Sequence, residues 1–365
     1  MSDRPAVPLA GHSVFVTGHT GFKGSWLSLW LAQAGARVSG YSLAPVTTPR
    51  LFEAAGIKDL LATHHEADLR DRDTLARAVA EADPDVVFHL AAQTRVLEGY
   101  REPLETISTN VLGTAVLLDV LRTRARPCAV VVVSSDKSYE NEGSGRAFVE
   151  QDRMGGADPY SASKGAMELV VAAFRDSFFP TETWDRHRVS VATVRAGNVI
   201  GGGDWTEDAL IPDTVRAVTA GLPVRLRRPD AIRPWQHVLE PLRGYLLLAA
   251  RLLGPDAPAL ATAWNFGPET RGDASAGDIV DAFIRRWGSG TRMDEPGDSP
   301  PEATALRLSA ERAWTHLGWR STWPLDVAVA RTADWYRAFA DDPTAARPST
   351  LADIAAFQAA SSPVG

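Results

Sequence analysis

Residues 14–31 read VFVTGHTGFKGSWLSLWL: a β-branched apolar run, a glycine-rich turn and then a stretch of helical period. Gly18, Gly21 and Gly24 lie between a first strand expected at 13–18 and a first helix expected at 23–34. Glycines at this junction permit a tight turn and a close backbone approach. The free N–H groups and the dipole of a helix start favour a pyrophosphate. An ordinary strand-to-helix turn also uses glycine, so the rest of the chain must decide between the two. Further strands are expected at 37–43, 85–92, 129–135 and 189–197, with helices at 72–82, 103–125 and 159–178 between them. This βαβ order predicts an α/β fold, a doubly wound parallel sheet with helices on both faces, and favours the dinucleotide turn. No fixed-period repeat interrupts it.

After residue 198 the order loosens into the loops GGGDW (201–205) and RRPDAIRPW (227–235), with helices expected near 238–252, 276–288, 309–317 and 325–341. The expected organisation is a dinucleotide-binding domain over 1–197, rejoined by 236–266, and a smaller substrate-binding domain from 198–235 and 267–345. The tail, 346–365, is expected to hold one short helix. The 365 residues, 45% hydrophobic, suffice for a large core, and a net charge of −7 gives no reason to expect nucleic acid or an anionic membrane as partner. The single cysteine, Cys128, excludes an internal disulfide, and no Cys/His cluster has metal-ligand spacing. The first residues show neither a basic n-region nor an apolar h-region, and no run of 18 apolar residues occurs. The chain is therefore expected to be soluble and cytoplasmic.

Two groups of residues carry chemistry. In DPYSASKGAMEL (158–169), Tyr160 and Lys164 are four apart and share one helix face. A phenol of pKa about 10 is a poor base at neutral pH, and a neighbouring ammonium is expected to lower that value so that Tyr160 can take a proton from an alcohol while hydride leaves its carbon. Taken alone, the pair also fits the surface of an amphipathic helix. In SSDKSYEN (134–141), Ser135, Asp136 and Lys137 stand where the chain leaves an apolar strand. A salt-bridged turn is the plain reading of that stretch.

The spacing G-x-x-G-x-x-G, with Ser135 and the Tyr160/Lys164 pair, resembles the extended short-chain dehydrogenase/reductase superfamily. Within it, GHTGFKGSWL, SDKSYEN, RAGNVIGGGDW, AIRPWQHVLEP and LGWRSTW resemble the CDP-glucose 4,6-dehydratases over residues 12–340. The resemblance implies a Rossmann-type sheet, NAD as cofactor and a nucleotide sugar as substrate. It implies cofactor contacts at Gly18, Thr20, Gly21, Phe22, Lys23, Gly24, Ser42, Asp68, Leu69, Leu90, Ala91, Ala92, Tyr160 and Lys164. Substrate contacts are implied at Gln93, Asn198, Trp205, Arg233 and Glu302, and Asn110 is the helix Asn near the catalytic Lys. The second strand ends without the acidic residue that usually binds the NAD ribose, and Ser42 alone does not separate NAD from NADP.

A 4,6-dehydratase gives Asp136 and Lys137 work that a simple dehydrogenase lacks. Oxidation at C4 makes the C5 proton acidic; by the resemblance Lys137 is the C5 base or its electrostatic helper, and Asp136 is the acid that helps the C6 hydroxyl leave as water. Three positions depart from the family pattern: Leu97 replaces a basic residue while Arg95 appears two positions earlier, Ala209 replaces Arg, and Thr304 replaces His. They keep open a related NAD-dependent epimerase, a decarboxylase or an atypical dehydratase of another nucleotide sugar. A non-catalytic dinucleotide-binding regulator is disfavoured by the intact Tyr/Lys pair. Helices 103–125 and 159–178 carry apolar residues on more than one face, and the resemblance implies that they form the four-helix bundle of a homodimer.

Overall fold

The computed structural model describes residues 9–45, 47–124, 126–268, 274–295 and 305–361. Seven parallel strands form one sheet: β1 (Ser13–Thr17), β2 (Arg37–Ser42), β3 (Thr63–Glu66), β4 (Val86–His89), β5 (Cys128–Val133), β6 (Val189–Ala196) and β7 (Ala263–Phe266). Their order is β7-β6-β5-β4-β1-β2-β3, so the winding reverses between β1 and β4, where open α/β sheets place their ligands. This is the expected Rossmann-type fold.

Alternation along each strand sends side chains to two cores. Val14, Val16, Phe88, Val131 and Val194 point into the core shared with α1 (Phe22–Gln33) and the later helix Leu239–Leu252. Phe15, Val87, Val130, Val132 and Val191 point to the other face, against α2 (Arg72–Ala82), α3 (Gly113–Arg122) and α4 (Pro159–Phe178). Burial on both faces is why these strands read as unbroken apolar runs. The edge strand β3, THHE, has one neighbour and no such run.

Three expectations need correction. The strand expected over 85–92 leaves the ladder at His89, because Ala91 N–H turns to the Thr17 hydroxyl (3.2 Å). The helix expected over 103–125 is interrupted by a π turn at Ser108–Leu112 between Pro103–Ile107 and α3. Such an insertion re-aims the side chains it carries, here Asn110. The tail helix is long, Ala346–Ser361, and its Phe357 ring packs 6.1 Å from Trp30 and 5.1 Å from Trp323, closing the α1 core. Finally, α5 (Leu210–Thr219) and the short helix Val96–Arg101 were not expected from the sequence.

Burial holds His19, His89 and His237 down to about 3, so all three stay neutral in the fold, whereas the unfolded chain protonates them below its ordinary value of 6.5. Their stability is present above pH 6.5 and is lost on acidification at about 1.4 kcal/mol per pH unit for each. Burial raises the Glu240 and Asp353 carboxyls to about 7 and also pushes up Asp136, Asp204 and Asp213, which stabilises the fold at low pH and opposes the histidines. Glu240→Gln removes one opposing carboxyl, so between pH 6.5 and 4.5 its urea midpoint is expected to drop on acidification relative to that of the wild type.

Candidate active site

The carboxyl ends of β1, β2, β3 and β4 assemble a cradle for an extended anion. Gly18 takes φ +73°, and a Cβ there would lie 2.6 Å from the Ala91 nitrogen; a Cβ on Gly24 would lie 2.1 Å from the Gly18 oxygen. Both positions require glycine because backbone already fills the space. Gly21 differs: it is exposed, and a Cβ there would meet only the Gly18 oxygen at 3.4 Å. It is also the N-cap of α1, and no side chain caps that helix, which leaves its first N–H groups to an outside acceptor.

Around this turn, the Thr20 hydroxyl bonds the Ser42 hydroxyl (2.8 Å) and donates to the Leu43 carbonyl (3.0 Å). The Asp68 carboxylate accepts from Arg70 Nε (2.9 Å), and its backbone carbonyl accepts from the Tyr41 hydroxyl (2.7 Å). Leu69 is buried against Gly113, and Leu90, Ala91 and Ala92 form the facing wall after β4. The donors, the glycine cradle and the apolar wall fit a dinucleotide.

The second half of the site is built on α4. Asp158 caps it by accepting from Ser161 N–H (3.0 Å), and Pro159 opens the first turn. This sets Tyr160 and Lys164 one turn apart, both buried and both facing the end of β5, where Lys164 Nζ donates to the Val133 carbonyl (3.3 Å). Burial lowers the Lys164 ammonium to about 8, helped by the Lys23 ammonium and opposed by Glu168. Burial raises the Tyr160 phenol to about 12, opposed by a hydrogen bond with Ser135 and reinforced by the nearby Asp136 and Asp158. The expectation of a phenol lowered by its lysine is thus not met in the protein alone. Desolvation of the phenolate dominates, so the phenol holds its proton at neutral pH.

Ser135, Asp136 and Lys137 leave β5 in a 3₁₀ turn, Asp136–Ser138. Ser135 Oγ donates to Asp136 Oδ1 (3.0 Å) and accepts from Lys137 N–H (3.2 Å). Burial pushes the Asp136 carboxyl up, against Lys137, Ser135, Arg233 and Lys23, and its Oδ2 is buried with no hydrogen-bond partner among the described residues. A carboxyl inclined to hold its proton, with one oxygen unspent, has the properties of a general acid. Lys137 is half-buried beside it.

Asn110, carried by the π turn, ties the wall to the helix: its Nδ2 donates to the Gln93 carbonyl (2.9 Å) and to Ser163 Oγ (2.8 Å), and its Oδ1 accepts from Gln93 N–H (2.8 Å). The Gln93 side chain is itself engaged, donating to Thr106 Oγ1 (2.7 Å) and accepting from Arg95 N–H (2.5 Å). Arg95 pairs with Glu98 (3.2 Å) and, across the mouth of the site, with Glu207 (3.3 Å). Arg233 is buried near enough to Asp136 to act on its carboxyl. Asn198 is half-buried, and its carbonyl accepts from Gln236 N–H (3.1 Å). Trp205 lies in an aromatic cluster, 5.7 Å from Trp335 and 4.9 Å from Phe339, which makes it a packing residue in this arrangement. Leu97 is half-buried in its short helix, and Ala209 stands at the N-cap of α5 without a capping side chain. Glu302 and Thr304 lie outside the described residues.

Two participants are absent from the sequence reading in these roles. Lys23, expected only as a cofactor contact, is a cation of the catalytic centre felt by both Asp136 and Lys164. Glu168 sits on the Tyr160/Lys164 helix one turn beyond Lys164, a spacing that would have pointed to it.

Comparisons with known proteins bear on this arrangement. The model of the NAD dependent epimerase/dehydratase family matches residues 14–267. The CDP-glucose 4,6-dehydratase of Salmonella typhimurium is 46% identical over 330 residues, 90% of this chain and 91% of that protein. The dTDP-glucose 4,6-dehydratase of Streptomyces antibioticus is 30% identical over 89% of this chain and 92% of that one. Among solved structures, the dTDP-glucose 4,6-dehydratase of Streptomyces venezuelae, determined with NAD bound, superposes with a TM-score of 0.74 at 24% identity, covering 91% of this chain and 99% of that chain. That likeness carries the fold. With a family match across most of its length, and a close relative spanning nine-tenths of it, this chain belongs to the NAD dependent epimerase/dehydratase family.

Proposed function

We propose that this chain is an NAD-dependent nucleotide-sugar 4,6-dehydratase, a hydro-lyase that converts CDP-D-glucose to CDP-4-keto-6-deoxy-D-glucose and water. The observation that carries it is Asp136: a buried carboxyl inclined to hold its proton, with a free Oδ2, in the same centre as Tyr160 and Lys164. Redox at one carbon has no use for such an acid. The substrate follows the Salmonella relative.

When bound, NAD supplies a hydride acceptor for C4 and a hydride donor for C6. Tyr160 acts in its ionised form: once the phenol has given its own proton to solvent, the phenolate, favoured by the Lys164 ammonium and the Ser135 hydroxyl, takes the proton of the C4 hydroxyl and becomes phenol again. The C4 carbonyl acidifies C5, and Lys137, as the free amine, removes that proton and returns it to C5 after the water has left. Asp136 gives its proton to the C6 hydroxyl, which leaves as water. Arg233 and Asn198 bind the diphosphate, for which a planar guanidinium is suited.

The test is to incubate purified protein and NAD with CDP-, dTDP-, GDP- and UDP-hexoses, read the alkali-induced absorbance of a 4-keto-6-deoxy sugar and confirm loss of water by mass spectrometry. CDP-glucose is expected to react; loss of water from none of them would overturn the reading. In Asp136→Asn, water loss is expected to slow by about 10²-fold, the usual reach of one general acid.

The same reading includes a homodimer in the cytoplasm, where NAD and nucleotide sugars are available. Support for the dimer comes from the apolar surface left open by two neighbouring segments: Leu104 is 81% and Leu169 63% exposed, with Ile107, Leu112 and Phe178 also exposed. Light scattering is expected to give twice the chain mass, and Leu104→Glu/Leu169→Glu the single mass.

A further inference from the structure

Beneath the catalytic centre runs a buried polar chain that the proposed steps do not use. Glu168 of α4 receives two hydrogen bonds from Arg195 of β6, Nε to Oε1 at 2.7 Å and Nη2 to Oε2 at 3.0 Å, and each side chain is only 4% exposed. The remaining nitrogen, Nη1, donates to the Tyr139 hydroxyl (2.6 Å) and to the Glu150 carbonyl (3.1 Å). Tyr139 in turn donates to Asn265 Oδ1 on β7 (2.7 Å). The guanidinium lies 4.8 Å from the Tyr139 ring, which stacks on Phe148 at 4.9 Å.

A buried ion pair is no more stable than well-packed apolar residues of the same volume, so stability does not account for this one. A planar, bidentate pair does fix the relative geometry of the elements that carry it. Here the elements are the helix of Tyr160 and Lys164, through Glu168, and the turn of Asp136 and Lys137, whose next residue after Ser138 is Tyr139. The turn also rests directly on that helix: a Cβ on Gly165 would lie 3.2 Å from the Ser138 carbonyl oxygen. The start of the turn is held by the β5 ladder and Ser135. Its far end is held by the Tyr139 hydroxyl.

We propose that Glu168, Arg195 and Tyr139 are positioning residues that register the Asp136–Lys137 turn against the Tyr160/Lys164 helix, so that breaking the chain at Tyr139 slows loss of water while leaving C4 oxidation intact. The inference rests on the dehydratase reading above. Oxidation draws on groups carried by α4 and on Ser135, all anchored elsewhere. Elimination draws on Asp136 and Lys137, and a shift of a fraction of an ångström in a reacting group costs about tenfold or more in rate.

The variant is Tyr139→Phe in the full chain, which keeps the ring on Phe148 and removes only the hydroxyl; Glu168→Gln would strand a buried guanidinium and threaten the fold. Rapid mixing of NAD-loaded enzyme with CDP-glucose follows nicotinamide reduction by absorbance and 4-keto-6-deoxy product by alkali quench. Reduction is expected within twofold of wild type and product formation about tenfold slower, with reduced cofactor accumulating transiently. A CDP-6-deoxyhexose, which has no C6 leaving group, is expected to be oxidised at the wild-type rate. In protein without cofactor, amide exchange across residues 134–141 is expected to be faster in the variant. Parallel loss of both steps, no loss of either, or unchanged exchange would overturn the proposal. If wild type dehydrates CDP-glucose and the variant matches it, the positioning role alone fails; if wild type dehydrates no nucleotide hexose, the dehydratase reading falls and takes this inference with it.

Discussion

Tyr160→Phe is expected to lower kcat for dehydration by about 10³-fold, because every later step waits on the C4 ketone that the phenol makes possible. The backbone and Cβ of Tyr160 pack against the short helix at Gly99, and the change removes only the hydroxyl, so the fold should hold. The loss should appear in the reduction step itself, with no accumulation of reduced cofactor, unlike Asp136→Asn and Tyr139→Phe. Since burial raises the phenol to about 12 in the protein alone, the oxidation rate is expected to rise with pH from 6 upward. It should then decline above about 8, where the Lys164 ammonium loses its proton. Lys164→Arg, which stays charged throughout, should remove that decline. Stopped-flow reduction across pH checks both, and wild-type rates in Tyr160→Phe would remove the phenol from the mechanism.

The second large effect separates two glycines of one turn. Gly24→Ala places a Cβ 2.1 Å from the Gly18 oxygen and 2.7 Å from the His19 Cα, so the backbone of the phosphate turn must move. An overpacked site of this kind costs about 1–3 kcal/mol or more, and the displaced turn should weaken NAD at least 100-fold. Gly21→Ala meets nothing closer than 3.4 Å and should leave the melting temperature of the cofactor-free protein unchanged. Its methyl group would instead stand in the cradle, so the rise in melting temperature that NAD gives wild type should shrink or vanish. Thermal scans of the three proteins with and without NAD decide it. An equal loss of stability in both variants would mean that Gly21 serves the fold rather than the cofactor.

Much of this protein is written in short range. The glycine turn, the apolar runs of β1, β5 and β6, the start of α4 at Pro159 and the i,i+4 pairing of Tyr160 with Lys164 each depend on neighbours within one strand or one turn. Local sterics set them, and they were legible before any coordinates. The tail helix is longer than expected, and its Phe357 packs against Trp30 and Trp323, residues far away in the chain. The π turn at Ser108–Leu112 was invisible because an inserted residue leaves an apolar helical pattern nearly unchanged.

Charge in the site was beyond local reading altogether. Whether Tyr160 lies above or below its ordinary pKa, which way the Asp136 carboxyl is pushed and whether Lys23 acts on it depend on burial and on groups from α1, the turn after β5, α4 and the 232–233 strand that are far apart in the chain. The bond of Arg195 to Tyr139 spans 56 residues and its pair with Glu168 spans 27. Residue types and their order give the fold class and nominate Tyr160, Lys164, Asp136 and Lys137 as candidates, because the motifs that carry them are a few residues long. The protonation states and the register between the redox helix and the elimination turn come from the packed interior, where desolvation and long-range pairing outweigh anything a side chain carries by itself.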